Sequence, residues 1–294
     1  MTFFENLKRI FRNGDSLIKL IYLNSAIFLV VKLIDILFLL FNSSGSFISS
    51  YLAVPSNLPM LAIRFWTPLS YMFYHEDVLH ILFNMIALYW FGKLFLMYFS
   101  EKQLVGLYLF GGINGALFYL LAYNIFPFYA SMLHGSFLLG ASGSIMAVML
   151  AVAFRSPNLE MQMLFIGRVK LIYIAIVYVL VSLFGITSSN GGGQLAHLGG
   201  AFAGYIFVVS LRRGTDLTKV FTLILDALSN LFKPRRLKVK KTGYASMKMT
   251  DTEFNANKAK KMEEIDRILD KIKSSGYESL SANEKKRLFD QGNK

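Results

Sequence analysis

The residues of this chain that could do chemistry are a serine, two histidines and an asparagine, set within apolar stretches at Ser142, His80, His197 and Asn84. A serine hydroxyl attacks a carbonyl only when a base takes its proton, and histidine is the commonest such base. Nearby side-chain donors can stabilise the negative oxygen that the attack creates. Together these residue types indicate hydrolysis of an acyl bond, provided that the fold brings them together.

Ser142 lies in the sequence GASG, at residues 140–143. Small residues allow the backbone to come close to another helix or to a bound chain. The same pattern also serves plain helix packing, in which the serine hydroxyl bonds a backbone carbonyl. The motif alone leaves both interpretations open.

His197 lies in AHLGGAFAG, where Ala196, Gly200 and Gly204 recur every four residues. This spacing predicts a smooth ridge beside the imidazole, on which a neighbouring helix can pack closely. A histidine within a membrane helix is a functional hypothesis, although a core hydrogen bond or a metal site would also use one. A metal site is disfavoured because no carboxylate lies nearby and the histidines lack HExxH spacing.

His80 and Asn84 are four residues apart and therefore share one helix face. They could donate to an oxyanion together with the backbone N–H of Ser142, or they could form an ordinary hydrogen bond between helices. His75, five residues before His80, is interpreted as structural.

Two kinds of group are missing from the predicted site. No carboxylate is placed to orient His197, since Glu76 and Asp77 are expected at the outer edge, so a dyad is predicted rather than a triad. The sequence has no cysteine, which excludes disulfides, a thiol nucleophile and cysteine metal sites.

The elements that must position these residues are long apolar helices. Of the 294 residues 54% are hydrophobic and 17% are charged, and the mean hydropathy is +0.47. The apolar residues form blocks of roughly 18 to 25, long enough to cross a hydrocarbon core of about 30 Å. All six prolines fall between or outside these blocks. Six membrane spans are therefore predicted, at 17–41, 77–98, 103–125, 137–154, 169–186 and 194–211.

Lysine and arginine set the orientation of these spans. They gather in the N-terminal segment, in alternate links and after the last span, whereas the links at 126–136 and 187–193 have none. The positive-inside rule then places both termini in the cytoplasm. Spans two, four and six run inward from the outer face, and each carries its site residues in its first turns. Because the net charge of +13 follows this distribution, it gives no support to a nucleic-acid partner.

Two further features of the membrane region are predicted. The first outer segment, 42–76, is too broken by proline to span, and we expect it to lie partly helical at the interface with Trp66 near the headgroups. Lys32 and Asp35 are three residues apart in the first span and can pair. The pair is either structural or part of a proton or ion relay.

Three motifs in this order, HILFN at 80–84, GASG and AHLGGAFAG, resemble the signatures of rhomboid intramembrane serine proteases. The resemblance covers about 60–211. It implies an all-α polytopic membrane protein with the six-transmembrane-helix rhomboid fold. It also implies Ser142 as the nucleophile and His197 as the general base, with no cofactor and no metal.

The resemblance also assigns the surroundings of the site. His80, Asn84 and the Ser142 N–H are implied as the oxyanion hole, and the link 186–194 as a mobile cap. Gly200 and Gly204 are implied to pack on the fourth span. The residues expected to pack around the site are Gly140, Gly143, Met146, Gly200 and Gly204.

The sequence departs from the rhomboid pattern at two places. Many rhomboids have Trp-Arg in the first outer loop, but here the order is Arg64-Phe65-Trp66, which leaves the roles of Arg64 and Trp66 open. Bacterial rhomboids often have an aromatic residue one turn after the serine, packed on the histidine. That position is Met146, whose thioether can pack on an imidazole face, so a repositioned site is expected.

The tail has its own organisation. Gly276 is predicted to end one helix, and Ser281 with Glu284 reads as a capping box for the next. The tail resembles those of rhomboids of the Bacteroidetes type, and its partner is unknown. The predicted regions are a cytoplasmic N-terminal segment 1–16, a six-span membrane domain 17–213, an amphipathic and basic linker 214–250, and a small cytoplasmic helical tail 251–294.

The function expected from the sequence is intramembrane proteolysis in a bacterial inner membrane. The substrates would be transmembrane or membrane-adjacent protein segments, cleaved near the outer face of the lipid bilayer. The alternative is a non-catalytic pseudoprotease that binds membrane-protein clients. A transporter is disfavoured, because the sequence has no inverted repeat and no broken span.

Overall fold

The computed structural model describes residues 14–41, 46–163, 167–232 and 251–292. The chain divides into two compact units, Met1–Lys233 and Pro234–Lys294, which are described separately. Residues 1–13 of the predicted N-terminal segment and residues 233–250 of the predicted amphipathic and basic linker lie outside the described residues.

Helices account for most of the first unit, where a few short 3-10 turns join them. The N-terminal half contains α1 (Ser16–Leu40), α2 (Ser46–Leu52), α3 (Leu58–Ile63), α4 (Thr67–Ser70), α5 (Val78–Leu96) and α6 (Glu101–Ile125). The C-terminal half contains α7 (Ser142–Arg155), α8 (Leu171–Phe184), α9 (Gly191–Arg212) and α10 (Lys219–Phe232). Two short antiparallel pairs complete the unit, β1 (Val54–Pro55) with β2 (Phe137–Leu138) and β3 (Glu160–Met163) with β4 (Gly167–Lys170).

The protein is a largely helical, polytopic membrane protein, as predicted. Within the described residues, α1, α5, α6 and α9 are long and apolar enough to cross a membrane. Helices α7 and α8 are apolar but have 14 residues each, which corresponds to about 21 Å. Four spans are therefore supported by helix length, and the count of six stays a prediction.

The predicted fourth span, 137–154, begins too early. Phe137 and Leu138 instead pair with β1, and Gly140 adopts a φ of 103°, a backbone conformation that favours glycine. Helix α7 therefore starts only at Ser142. The sequence could not indicate this pairing, because its partner strand lies about eighty residues upstream in the chain.

The first outer segment is partly helical, as predicted: β1 lies between α2 and α3, and α4 follows α3. The Arg64 guanidinium donates to the carbonyl oxygen of Ser50 and lies 4.5 Å from the ring centroid of Tyr51. Trp66 donates from Nε1 to the Tyr51 carbonyl oxygen at 2.9 Å. Arg64 and Trp66 thus tie α2 to the following helices.

Lys32 and Asp35 form the predicted pair in α1, with 3.9 Å between Lys32 Nζ and Asp35 Oδ2. Both side chains are partly buried, and the opposite charges compensate in part for the cost of placing either one in an apolar helix. The geometry agrees with a structural pair, and a relay role stays a prediction.

The core of the first unit is α7, in which all residues from Gly143 to Ala153 are buried. Helix α9 runs parallel to it at backbone contact. A Cβ added to Gly200 would lie 1.9 Å from the Gly143 carbonyl oxygen, and one added to Gly204 would lie 2.3 Å from that of Ala147. These glycines allow the carbonyls of one helix to rest on the Cα atoms of the other.

Helix α6 packs on the other side of α9 in the same manner. A Cβ added to Gly199 would lie 2.4 Å from the Asn114 carbonyl oxygen, and one on Gly115 would lie 3.0 Å from that of Ala196. Helices α6, α7 and α9 therefore form a tight three-helix centre.

The second unit contains α11 (Asp251–Ser275) and α12 (Ala282–Gly292). Gly276 follows α11 with a φ of 79°, and Ser281 and Glu284 form the predicted capping box. Hydrogen bonds from Ser281, together with the Lys271 ammonium, lower the pKa of Glu284 to about 2. The two predicted tail helices and the turn between them are confirmed.

We expect Gly200→Ala to destabilise the membrane unit, because its methyl group would overlap the Gly143 carbonyl and force α7 and α9 apart. Overpacking of this kind costs about 1–3 kcal/mol. Unfolding in detergent measures the change. Gly135→Ala is the control, since a Cβ there has no neighbour within 4 Å, and equal stability of both variants would contradict the packing argument.

Candidate functional site

Two cavities meet at Ser142. The smaller one, of about 160 Å³, is otherwise lined by Phe83, Asn84, Ala87, Phe91, Ile145, Met146, Met149, Tyr178 and His197. The larger one, of about 580 Å³, includes His80, Glu76 and Asp77. It is also lined by Ser189 and Asn190 from the link before α9 and by Gly192 and Gly193 from the first turn of α9. The structure therefore brings together the four residues that could do chemistry around the first residue of α7.

The position of Ser142 is fixed by the loop that precedes it. The N–H of Gly140 donates to the Tyr71 carbonyl oxygen at 3.0 Å, and that of Ala141 donates to His75 Nε2 at 3.4 Å. Because Ser142 opens a helix, its own N–H has no partner within that helix. A free amide and the positive end of the helix dipole at this point favour a negative oxygen.

His197 reaches the same cavity from α9, whose position is set by the contact of Gly200 with α7. His197 Nδ1 lies 3.2 Å from Ser182 Oγ, a hydrogen bond to α8. Within the described residues Ser142 and His197 are not hydrogen-bonded to each other, and Nε2 of His197 stays available. Catalytic pairs are often long in the absence of substrate.

His80 and Asn84 are held by local hydrogen bonds in α5. Asp77 caps the helix and accepts from the His80 N–H at 2.8 Å, while Asn84 Nδ2 donates to the His80 carbonyl oxygen at 2.8 Å. A Cβ on Gly140 would lie 2.7 Å from His80 Nε2. The first glycine of GASG is therefore needed so that the His80 ring can lie against the loop before Ser142.

His75 is fully buried and contacts the loop before Ser142 through the Ala141 N–H. Its ring makes an edge contact with His80 at 5.1 Å between centroids. Burial, and secondly the neighbouring His80, lowers the pKa of His75 from 6.5 to about 4. The imidazole is thus neutral near pH 7, as its Nε2 must be to accept the Ala141 N–H.

Met146 is buried one turn after Ser142 and lines the smaller cavity beside His197.

Ser182 was not predicted from the sequence, because one serine in an apolar helix gives no indication of a role until its neighbour is known. In the part of the chain that the structure describes, no three His, Asp or Glu side chains gather as they would around a metal ion.

Comparison with known proteins agrees with this geometry. The profile of the Rhomboid domain matches residues 62–214, slightly more than half of the chain. The chain belongs to the rhomboid family. The match contains the four residues of the candidate site, and the predicted family is therefore confirmed. These residues are Ser142, His197, His80 and Asn84. The bacterial type of rhomboid stays a prediction.

Two further similarities were found. Residues 248–291 match a family of unknown function, DUF6576. The Arabidopsis thaliana protein "RHOMBOID-like protein 12, mitochondrial" is 32% identical over 160 residues, which is 51% of this rhomboid and 48% of that protein. The chain thus spans about half the length of this curated relative.

We expect His75→Gln to flatten the loss of stability in acid. The unfolded chain takes up a proton at His75 near pH 6.5, whereas the folded chain does so only near pH 4. The contribution of His75 to the free energy of unfolding is therefore complete above pH 6.5. It falls as the pH drops toward 4, by on the order of 3 kcal/mol. Unfolding measured at several pH values in detergent should show a smaller decline in the variant. Identical declines would contradict the assignment.

Proposed function

We propose that this rhomboid is an intramembrane serine endopeptidase that cleaves transmembrane or membrane-adjacent protein segments near the outer face of the membrane. The observation that carries the proposal is the cavity shared by Ser142 and His197, two residues 55 positions apart in the chain. A hydroxyl beside an imidazole at a helix N-terminus is suited to acyl transfer.

The first half of the proposed reaction forms an acyl-enzyme. Ser142 Oγ attacks the scissile carbonyl carbon while His197 Nε2 takes the hydroxyl proton. The carbonyl oxygen becomes negative and accepts hydrogen bonds from the Ser142 N–H, His80 and Asn84. Asn84 has a second amide N–H for this purpose, since only one is needed for the His80 carbonyl.

The second half returns the enzyme to its starting state. As the C–N bond breaks, His197 passes its proton to the leaving amine and the peptide carbonyl stays on Ser142 as an ester. Water then attacks the ester carbonyl and gives one proton to His197. His197 returns this proton to Ser142 Oγ as the ester C–O bond breaks, which releases the new C-terminal carboxyl group of the product. The larger cavity, with the carboxylates of Glu76 and Asp77 at its wall, would supply this water.

The distribution of charge supports a site at the outer face. Arg155 ends α7 and Arg212 ends α9, and Arg212 Nη2 donates to the Phe154 carbonyl oxygen at 2.7 Å. These arginines lie together at the end of the two parallel helices opposite Ser142. The positive-inside rule then makes their end cytoplasmic, and a bacterial inner membrane with both termini in the cytoplasm is proposed.

The chemistry is tested with a serine-directed covalent probe on the detergent-purified full chain. Wild type should be labelled, while Ser142→Ala and His197→Ala should lose labelling by at least about 100-fold, the usual effect of losing a nucleophile or base. His80→Ala should still be labelled but cleave more slowly. Equal labelling of all four proteins would contradict the protease proposal and favour a pseudoprotease that binds client proteins.

The orientation is tested by fusing to the C-terminus a reporter that is active only outside the cytoplasm. We expect no signal from the fusion, because Arg212 and the basic residues after it should stay inside. The same reporter placed within 126–136 should be active. The reverse pattern would overturn the proposed topology.

A further inference from the structure

Ser182 of α8 is hydrogen-bonded to Nδ1 of His197, the ring nitrogen that does not face the proposed reaction. We infer that Ser182 is a positioning residue for the proposed reaction, which accepts a hydrogen bond from Nδ1–H of His197 and so holds the base toward Ser142. This inference rests on the proposed function. It gives to an uncharged residue of α8 the task that a carboxylate performs in a catalytic triad.

The surroundings of Ser182 indicate that its hydroxyl is dedicated to His197. Ser182 is 1% exposed and shares the buried face of α8 with Leu171 and Ala175. The next residue toward the N-terminus, Val181, is 58% exposed on the outside of the helix. A buried hydroxyl without a partner is costly in an apolar region, and in the described part of the chain His197 Nδ1 is the partner of this one.

The proton positions follow from the role of His197 as base. Its Nε2 must be unprotonated to take the Ser142 proton, so the single ring proton must lie on Nδ1 and point at Ser182 Oγ. When Nε2 accepts the proton, the ring becomes positive and the bond to Ser182 becomes charge-assisted. Ser182 thus favours both the reactive tautomer and the imidazolium that forms.

A hydroxyl suits this place better than a carboxylate would. A charged side chain on a buried face of a membrane helix is expensive unless it is paired, whereas serine costs little. Met146, across the cavity, is flexible and has no hydrogen-bond donor, so it does not fix the rotation of the ring. The bond from α8 supplies that constraint.

The kinetic test compares Ser182→Ala with Ser182→Thr. Loss of one hydrogen bond to a group that becomes charged should lower kcat about tenfold and leave KM unchanged, because Ser182 does not line the cavity. Threonine keeps the hydroxyl and should restore most of kcat. Ser144→Ala is the matched control, since Ser144 is also 1% exposed and its Oγ contacts Met72 Sδ at 3.8 Å instead. Wild-type kcat in Ser182→Ala would overturn the inference.

The second test does not depend on activity. Nitrogen-15 NMR of the histidine side chains, with the His197 signals assigned through His197→Ala, reports which ring nitrogen carries the proton. We expect Nδ1–H in wild type and in Ser182→Thr, and a mixture of tautomers in Ser182→Ala. Nε2–H in wild type, or no change in Ser182→Ala, would refute the role. If wild type cleaves nothing and takes no probe, the proposed function fails, and the NMR result still decides whether Ser182 orients His197.

Discussion

The structure depends above all on the backbone contact between α7 and α9. Gly200 lies on the Gly143 carbonyl, and one turn further Gly204 lies on that of Ala147. Helices gain little from the hydrophobic effect when lipid is the alternative, so close van der Waals packing of small residues has to hold them. Because the two helices run parallel at this distance, Ser142 and His197 come to one cavity without any loop having to carry them there.

Three polar side chains near this contact have hydrogen-bond partners, one within its own helix and two from other parts of the chain. Asn84 bonds the carbonyl of His80, His75 accepts from the loop before Ser142, and His197 bonds Ser182. Each bond removes the cost of a polar side chain in an apolar bundle. The same bonds fix the direction in which each side chain points. Stability and the preorganisation of the site therefore have the same origin.

The sequence predicted the parts that depend on local pattern. The four-residue recurrence at Ala196, Gly200 and Gly204 indicated a packing ridge, and the apolar blocks gave the helices. The prediction from sequence was wrong where pairing between distant segments sets the boundary of an element. Helix α7 begins five residues later than predicted because β2 pairs with β1. The β3–β4 hairpin was also missed, being short and placed in a link. Hydropathy alone also cannot separate a short helix enclosed by others from one that spans the bilayer.

The enclosure of α7 affects how the chain is made. A helix of 14 residues whose middle is buried on every side has no face of its own for lipid. During synthesis it must wait for neighbours, and α9, the neighbour that fits it most closely, emerges last among the long apolar helices. A nascent chain that stops before Gly191 therefore contains Ser142 but lacks His197, and the side of α7 that α9 would cover is exposed. Under the proposed function such a fragment is inactive, and newly made chains gain activity only after α9 has packed on α7.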